Sequence, residues 1–396
     1  MITVRLKPDR EGPVSAGHPW VFSGAIATID GEGSPGSFVQ VVAADGSALG
    51  VGYLNTRCSI AVRMLTREIE EINAGFIRKR LEVALALRQA VIPPDTTGYR
   101  LVNGEGDFLP GVIADVYGNF VVCQCLTAGA DTLKPLVVDA LVALLSPQGI
   151  YEKSEGGVRQ EEGLTNAAGV LWGEEPPPLL EMCENACRFL VNIRGGQKTG
   201  FFLDQRDNRL LAGTLAPSRR VLNGFAYTGG FGVFAARQGA KRVVSVESSE
   251  AVLRLARQNW QGNRLPDSQG EFVQADMFSY LRETDELFDL IVLDPPPFIR
   301  RRQDVKAGVK GYKEINLQAF RLLTPGGQLL TFSCSQHLSA ADFFQTVLFA
   351  AADARRDVQV LRHLGPAADH PVNLAHTEGA YLKGLWLRVG ARANAR

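Results

Sequence analysis

No stretch of this sequence stays apolar for the ~18 residues that a bilayer-spanning helix requires, and the opening run MITVRLKPDREG lacks the apolar segment of a secretory leader. Both absences predict a cytoplasmic protein with no membrane partner. Cysteine is sparse. Cys58, Cys123, Cys125, Cys183, Cys187 and Cys334 are scattered along 396 positions, which excludes a disulfide framework, and a chain of this length can build large cores without one. Metal-ligand spacing is missing as well: Cys183 and Cys187 have no CxxC or histidine cluster to complete them, so no metal is expected. Cys123 and Cys125 alternate within NFVVCQCL and should share one face of a strand. Neither charge is in excess, since 42 Lys and Arg balance 42 Asp and Glu. Global charge therefore speaks neither for nor against a nucleic-acid partner, and only local clusters of Lys and Arg can. Long biased runs are absent, and 45% hydrophobic with 21% charged residues is the composition of an ordinary globular protein.

At about 150 residues per domain, the length suggests two or three domains, and three are expected. Over residues 1–70, the β-like runs MITVRL, SFVQVVA, LGVGYLN and IAVRML alternate with the turn signals DGEGSPG and ADGS, the pattern of a small β-barrel. From Glu70 the periodicity changes. The run EEINAGFIRKRLEVALALRQAV repeats Ile72, Phe76, Leu81, Ala84 and Leu85 at helical spacing until Pro93 and Pro94. Residues 71–180 continue with the strands YRLVN, GVIADVYG, FVVCQCL and GIYEKSE and a helix around LKPLVVDALVALL, an α+β middle domain closed by the prolines at 176–178. Within residues 181–396, the strands VLNGF, RVVSVE, EFVQAD, FDLIVLDPP and GGQLLTFSC alternate with helical runs such as EAVLRLARQNWQG and INLQAFRLL. Repeated β–α alternation with strands rich in Val, Ile and Leu predicts an α/β, Rossmann-like parallel sheet covered on both faces.

In such sheets ligands sit beyond the carboxyl ends of the strands. VLNGF is followed by AYTGGFG, a glycine turn that opens a helix, but the glycines at 229, 230 and 232 do not fit GxGxxG and weaken a dinucleotide reading. RVVSVE ends in Glu247, where an acid can accept ribose hydroxyls, and EFVQAD ends in Asp276, placed to accept from an adenine amino group. FDLIVLDPPPF carries Asp294 ahead of three prolines and Phe298. Each acid alone reads as a solvated loop residue. Three of them at the ends of successive strands, beside a glycine turn, point to a nucleoside-type cofactor.

The runs VLNGFAYTGGFG, VVSVESS, DPPPF, GYKEIN and TFSCS resemble the bacterial 23S ribosomal RNA large-subunit cytosine-5 methyltransferases, class I enzymes that use S-adenosylmethionine and carry an N-terminal PUA domain. PVSAGHPWVFSGAI is similar to the family's PUA signature, GGQKTGFFLDQRDNR to its domain-junction motif, and AADHP and EGAYLKG to its C-terminal motifs, so the resemblance covers nearly the whole chain. It implies that Asn223, Phe225, Tyr227, Thr228 and Gly229 form the S-adenosylmethionine loop, that Glu247 holds the ribose and that Asp276 faces the adenine. Asp294 would border both cofactor and target base, and the stretch from Lys198 and Thr199 to Gln205 would cover the methionine end. Two departures are visible. Pro297 replaces the lysine of the common DPPKF motif, which leaves no lysine there to act, and Asn223 stands where many relatives have Asp.

Carbon 5 of cytosine is too poor a nucleophile to take a methyl group unaided, and a thiolate added at carbon 6 converts it to an enamine that can. Cys334 follows a strand at the ligand-binding edge, flanked by Ser333 and Ser335. Alone, the tripeptide reads as a buried strand end; inside a methyltransferase sheet, Cys334 is the expected nucleophile and Asp294 the expected hydrogen-bond partner of the ring near N3. The base that removes the carbon 5 proton is not identified: a second cysteine does so in some related enzymes, and DPPPF has none. His337 is expected to cap a helix or face solvent, and His370 to be structural.

A base in folded RNA must leave its stack to reach such an edge. Arg300, Arg301, Arg302, Lys306, Lys310 and Lys313 follow DPPPF directly and are expected phosphate contacts, although a basic loop by itself is a solvated feature. Arg57, Arg63 and Arg67 are weaker candidates, and Trp20 and Phe22 either stack on bases or fill the barrel core. The expected partner is large-subunit ribosomal RNA, with monomer and homodimer both open. Two other functions also stay open: a guanine-N7 methyltransferase on the same fold, which needs no thiol, and a non-catalytic RNA-binding ribosome-assembly factor.

Overall fold

In this computed structural model, which describes residues 2–392, the early β-like runs pair into a six-stranded sheet. Its order is Trp20–Phe22, Ile60–Thr66, Ala48–Leu54, Phe38–Val42, Ile2–Leu6 and Ile26–Asp30. Alternation along these strands turns Val4, Leu6, Val39, Val41 and Val62 into one apolar core. A five-stranded sheet follows, ordered Ala167–Gly173, Gly149–Ser154, Phe120–Cys125, Val112–Tyr117 and Gly98–Asn103. Its helices, Ala74–Val91 and Ala128–Leu145, start where Asn73 and Thr127 accept the backbone N–H of Phe76 and Ala130. Ile72, Phe76, Leu81 and Ala84 are buried as their spacing predicts, and Cys123 and Cys125 fill the same core.

The expected boundary at residue 70 does not separate two bodies. Barrel and middle domain form one compact unit, running to Met182 and completed by Val191–Asp204 and Ala368–Gly379. Tyr53 shows why: its ring lies so close to Gly129 that a Cβ there would come within 2.0 Å of it. Its hydroxyl meets the Pro110 carbonyl at 3.0 Å and the Thr127 hydroxyl at 2.7 Å. Glu162, only 2% exposed, accepts from both Asn55 and Arg63 of the barrel. The boundary expected at 181 shifts too, because 191–204 and the AADHP segment belong to the first unit. There the Asp369 carboxylate accepts the Arg100 backbone N–H at 3.0 Å, and its carbonyl accepts from Arg88 at 2.7 Å. His370 is buried against Asp369, and burial pushes its pKa down, in keeping with a structural residue.

The second unit comprises Cys183–Leu190, Gln205–Ala367 and the chain from Ala380 onward. Its seven-stranded sheet runs Gly270–Gln274, Arg242–Glu247, Arg220–Gly224, Phe288–Leu293, Leu323–Ser333, Lys383–Arg392 and Arg356–Leu364. The first five strands are parallel, and Lys383–Arg392 is antiparallel to both of its neighbours. Leu222, Val244, Ile291 and Leu329 pack on Tyr312 and Phe320 to one side. Val221, Val243, Val292 and Leu330 pack on Phe231 and Trp260 to the other. Burial on both faces is what makes these strands read as continuous apolar runs. No described helix is long and apolar enough to cross a membrane.

The shared core of the first unit is testable through Glu162. Glu162→Ala leaves the Arg63 guanidinium buried without its acid, which should cost about 3–5 kcal/mol in urea unfolding. A loss below about 1 kcal/mol, the value of an exposed pair, would show that barrel and middle domain do not depend on this ion pair.

Candidate active site

The carboxyl edge of the second unit's sheet collects most of the residues singled out above. After the strand Arg220–Gly224 the chain turns sharply: Phe225 (φ 57°), Tyr227 (φ 47°) and Gly229 (φ 84°) all adopt left-handed backbone before the helix Gly230–Arg237 begins. Such conformations are costly for Phe and Tyr, and they persist where the surroundings dictate the turn. Glu247 helps to dictate it. One carboxylate oxygen accepts the Tyr227 N–H at 3.0 Å, while the other accepts the Ser249 N–H at 3.0 Å and the Ser248 hydroxyl at 3.1 Å. Its orientation is therefore fixed, with acceptor capacity remaining for a ligand donor.

Two atoms in this loop region are buried and unpartnered. Asn223 is fully buried, its amide NH₂ 3.4 Å from the Ser245 hydroxyl and its Oδ1 without a donor. Thr228 is 3% exposed with no partner for its hydroxyl. Buried polar atoms are ordinarily satisfied, so this pair beside the strained glycine turn is an exception.

Asp294 follows the strand Phe288–Leu293, and its Oδ1 accepts from the Gln205 amide at 2.9 Å. Gln205 is itself held by Asn208 at 2.6 Å. Cys334 follows Leu323–Ser333 and is partly buried, its Sγ 3.8 Å from the Pro295 carbonyl. Asp294, Gln205 and Cys334 thus meet at one edge. The flanking serines, Ser333 and Ser335, hold the segment in place. Both are fully buried, and the Ser335 hydroxyl takes the Ile299 N–H at 3.1 Å and meets the Tyr312 hydroxyl at 2.9 Å, clamping the Cys334 segment to its neighbours.

Several expectations need correction. Asp276 does not end a strand: the strand stops at Gln274, and Asp276 is an exposed N-cap whose carboxylate accepts the Ser279 N–H at 3.0 Å. Thr199 is fully buried in the first unit, its hydroxyl spent on Asp115 at 2.5 Å and Tyr117 at 2.9 Å, so it has no surface to offer a cofactor. Lys198, in the same unit, pairs with Asp204 at 2.7 Å. The basic stretch is not a loop beyond its first residues. Arg302–Asp304 is a short turn, and Lys306, Lys310 and Lys313 lie on one face of the helix Val305–Leu322. Arg300, Arg301, Arg302, Lys306 and Lys310 are exposed, whereas Lys313 is bound to Asp353 at 2.7 Å. Arg63 is buried against Glu162 and cannot meet RNA. Of the two alternatives for His337, the structure shows the solvent-facing one: it is exposed, and Ser339 caps the next helix. Among the described residues, no group of three or more His, Cys, Asp or Glu could hold a metal ion.

Comparison with known proteins agrees with this architecture. Residues 4–67 match a PUA-like domain, and residues 151–371 match the S-adenosylmethionine-dependent methyltransferases. Ribosomal RNA large subunit methyltransferase I of Photobacterium profundum is 44% identical over 97% of this chain and 98% of its own length. The protein of that name from Shewanella amazonensis is 45% identical over 98% and 99%. The chain belongs to the ribosomal RNA large subunit methyltransferase I family of S-adenosylmethionine-dependent enzymes. A methyltransferase candidate from Streptococcus mutans shares the fold, with a TM-score of 0.83 at 24% identity over 98% of this chain and 100% of that one. A structure matching equally well is complexed with SAH. S-adenosylmethionine is the cofactor of this family, and the unpartnered Asn223 and Thr228 atoms and the fixed Glu247 carboxylate suit a ligand bearing both donors and hydroxyls.

Gly229→Ala tests the loop. It forces a left-handed alanine whose Cβ would stand 3.1 Å from that of Ala256, so stability should fall by about 1–2 kcal/mol and calorimetric binding of S-adenosylmethionine should weaken. Unchanged binding would separate the turn from the cofactor.

Proposed function

We propose that the protein methylates carbon 5 of a cytosine in 23S ribosomal RNA of the large subunit. Asn223, Phe225, Tyr227, Thr228, Gly229 and Glu247 would hold the nucleoside of the cofactor, Asp276 would approach its adenine from the second carboxylate oxygen, and Asp294 and Gln205 would border its reactive end. When bound, S-adenosylmethionine supplies an electrophilic methyl group.

The observation that carries the reading is Cys334, partly exposed at the same sheet edge as Asp294 and fixed through the Ser335 clamp. Its thiolate adds to carbon 6 of the displaced base, and the electron pair of the 5,6 double bond moves onto carbon 5. As the thiolate adds, N3 takes up a proton from solvent, and Asp294, held by Gln205, accepts a hydrogen bond from that N3–H and stabilises the protonated ring. Once carbon 5 carries the methyl group and has lost its proton, the double bond re-forms and the thiolate leaves. Arg300, Arg301, Arg302, Lys306 and Lys310, exposed just beyond the Asp294 strand, contact phosphates around the displaced base.

Cys334→Ala should lower methyl transfer to large-subunit RNA by at least about 1000-fold, in line with loss of a covalent nucleophile, while leaving cofactor binding near normal. Turnover at the parent rate, with the methyl group mapped by mass spectrometry to a guanine N7, would replace this reading with chemistry that needs no thiol. Arg301→Glu, Lys306→Glu and Lys310→Glu combined should weaken RNA binding and flatten its dependence on log salt by roughly 0.7–0.9 for each phosphate no longer neutralised. An unaltered salt slope would remove the helix from the RNA surface.

A further inference from the structure

We infer that Asn259 is a positioning residue for the cofactor: from the buried face of the helix Glu250–Gly262, its side-chain amide sets the Thr228–Gly229 peptide in the conformation that S-adenosylmethionine binds. This rests on the reading of Asn223 to Gly229 as the loop that holds the cofactor.

Leu253, Ala256 and Trp260 make the inner face of that helix apolar, and Asn259 lies among them at 1% exposure. An amide is costly to bury unless both of its groups are bonded. Here both are. Nδ2 donates to the Thr228 carbonyl at 2.9 Å, and Oδ1 accepts the Leu190 N–H at 2.7 Å. The reversed amide would set oxygen against oxygen and N–H against N–H, so the two partners fix its orientation.

The bond falls where the loop's own sterics decide least. Glycine takes either sign of φ about equally, so nothing in Gly229 itself selects its φ of 84°. Its surroundings select it. The Gly229 N–H donates to the Ala226 carbonyl at 2.9 Å, and Ala256 packs directly against the Gly229 backbone. One turn along the helix from Ala256, Asn259 takes the carbonyl on the other side of the same peptide. Thr228, whose buried hydroxyl has no partner, is thereby held through its backbone, as Tyr227 is held by Glu247.

Asn263, which closes the helix, supplies an internal comparison. Its amide accepts the Arg188 N–H at 2.9 Å and donates to the Arg188 carbonyl at 2.7 Å. Both asparagines therefore hold the strand Cys187–Val191, and Asn259 reaches the cofactor loop as well. Loss of strand docking and loss of loop positioning can thus be told apart.

The test is calorimetric binding of S-adenosylmethionine to the full-length protein, with steady-state kinetics on large-subunit ribosomal RNA. Asn259→Asp is isosteric, keeps an oxygen for the Leu190 N–H and loses the donor to Thr228. It should weaken cofactor binding at least about tenfold and raise KM for S-adenosylmethionine in step. At saturating cofactor kcat should stay within about twofold, the pattern of a lost binding contribution. Asn259→Leu, near in size and suited to the apolar face, should give the same result and serves if the buried carboxylate prevents folding. Asn263→Ala should leave KM for S-adenosylmethionine unchanged. Parent affinity in the Asn259 variants would overturn the inference, as would an equal loss in Asn263→Ala, which would trace the effect to docking of the strand. If Gly229→Ala binds the cofactor normally, the reading of the loop itself fails. If Gly229→Ala binds weakly and the Asn259 variants bind like the parent, only the positioning role fails.

Discussion

Parallel strands joined by crossover helices all run out at one edge, and everything proposed for this protein depends on that constraint. The backbone groups of the four inner parallel strands are paired on both sides within the sheet, and apolar side chains pack on both of its faces. Only the residues just past the strand ends are free to meet a ligand. Asn223 to Gly229, Glu247, Asp294 and Cys334 are neighbours because the strands beneath them are neighbours, although they are spread over more than a hundred positions in sequence. A one-residue slip in any strand would turn its terminal side chain to the other face.

Polar bonding then converts placement into geometry. Glu247 spends three acceptor bonds on the glycine turn and the residues that follow its own strand, so the carboxylate and the strained loop hold each other. Gln205 fixes Asp294, and Asn208 fixes Gln205. The Ser335 hydroxyl, tied to Ile299 and Tyr312, keeps the Cys334 segment against the Asp294 strand end. Beside this bonded frame, Asn223 Oδ1 and the Thr228 hydroxyl are buried atoms of the glycine turn without a partner.

Much of this is legible in the sequence, for identifiable reasons. Strands such as FDLIVL and RVVSVE are buried on both faces, so their apolar runs are unmistakable, and the acids that follow them can be placed at the edge. Strands with one wet face are less visible. Arg356–Leu364 is mostly exposed and Ala167–Gly173 alternates only weakly, and neither stands out from its surroundings. The helix Arg206–Leu215 is hidden because Arg206, Asn208 and Arg209 are buried polar residues in its first turns, which obscures its apolar stripe. Domain limits fail where the chain doubles back. Residues 191–204 and 368–379 join the first unit through bonds such as those of Thr199 and Asp369, which no local pattern announces. At Asp276 the strand end falls two residues earlier than the pattern suggests, enough to change a strand end into a helix cap.

The central claim is a covalent bond between Cys334 and the target base, and it can be trapped. In large-subunit RNA carrying 5-fluorocytosine, fluorine replaces the hydrogen that must leave carbon 5, so the reaction should stop with enzyme still attached. With S-adenosylmethionine present, the account predicts a denaturation-resistant protein–RNA complex whose digested peptide is linked through Cys334. Absence of any adduct under conditions where unmodified RNA is methylated, or attachment through another residue, would contradict it.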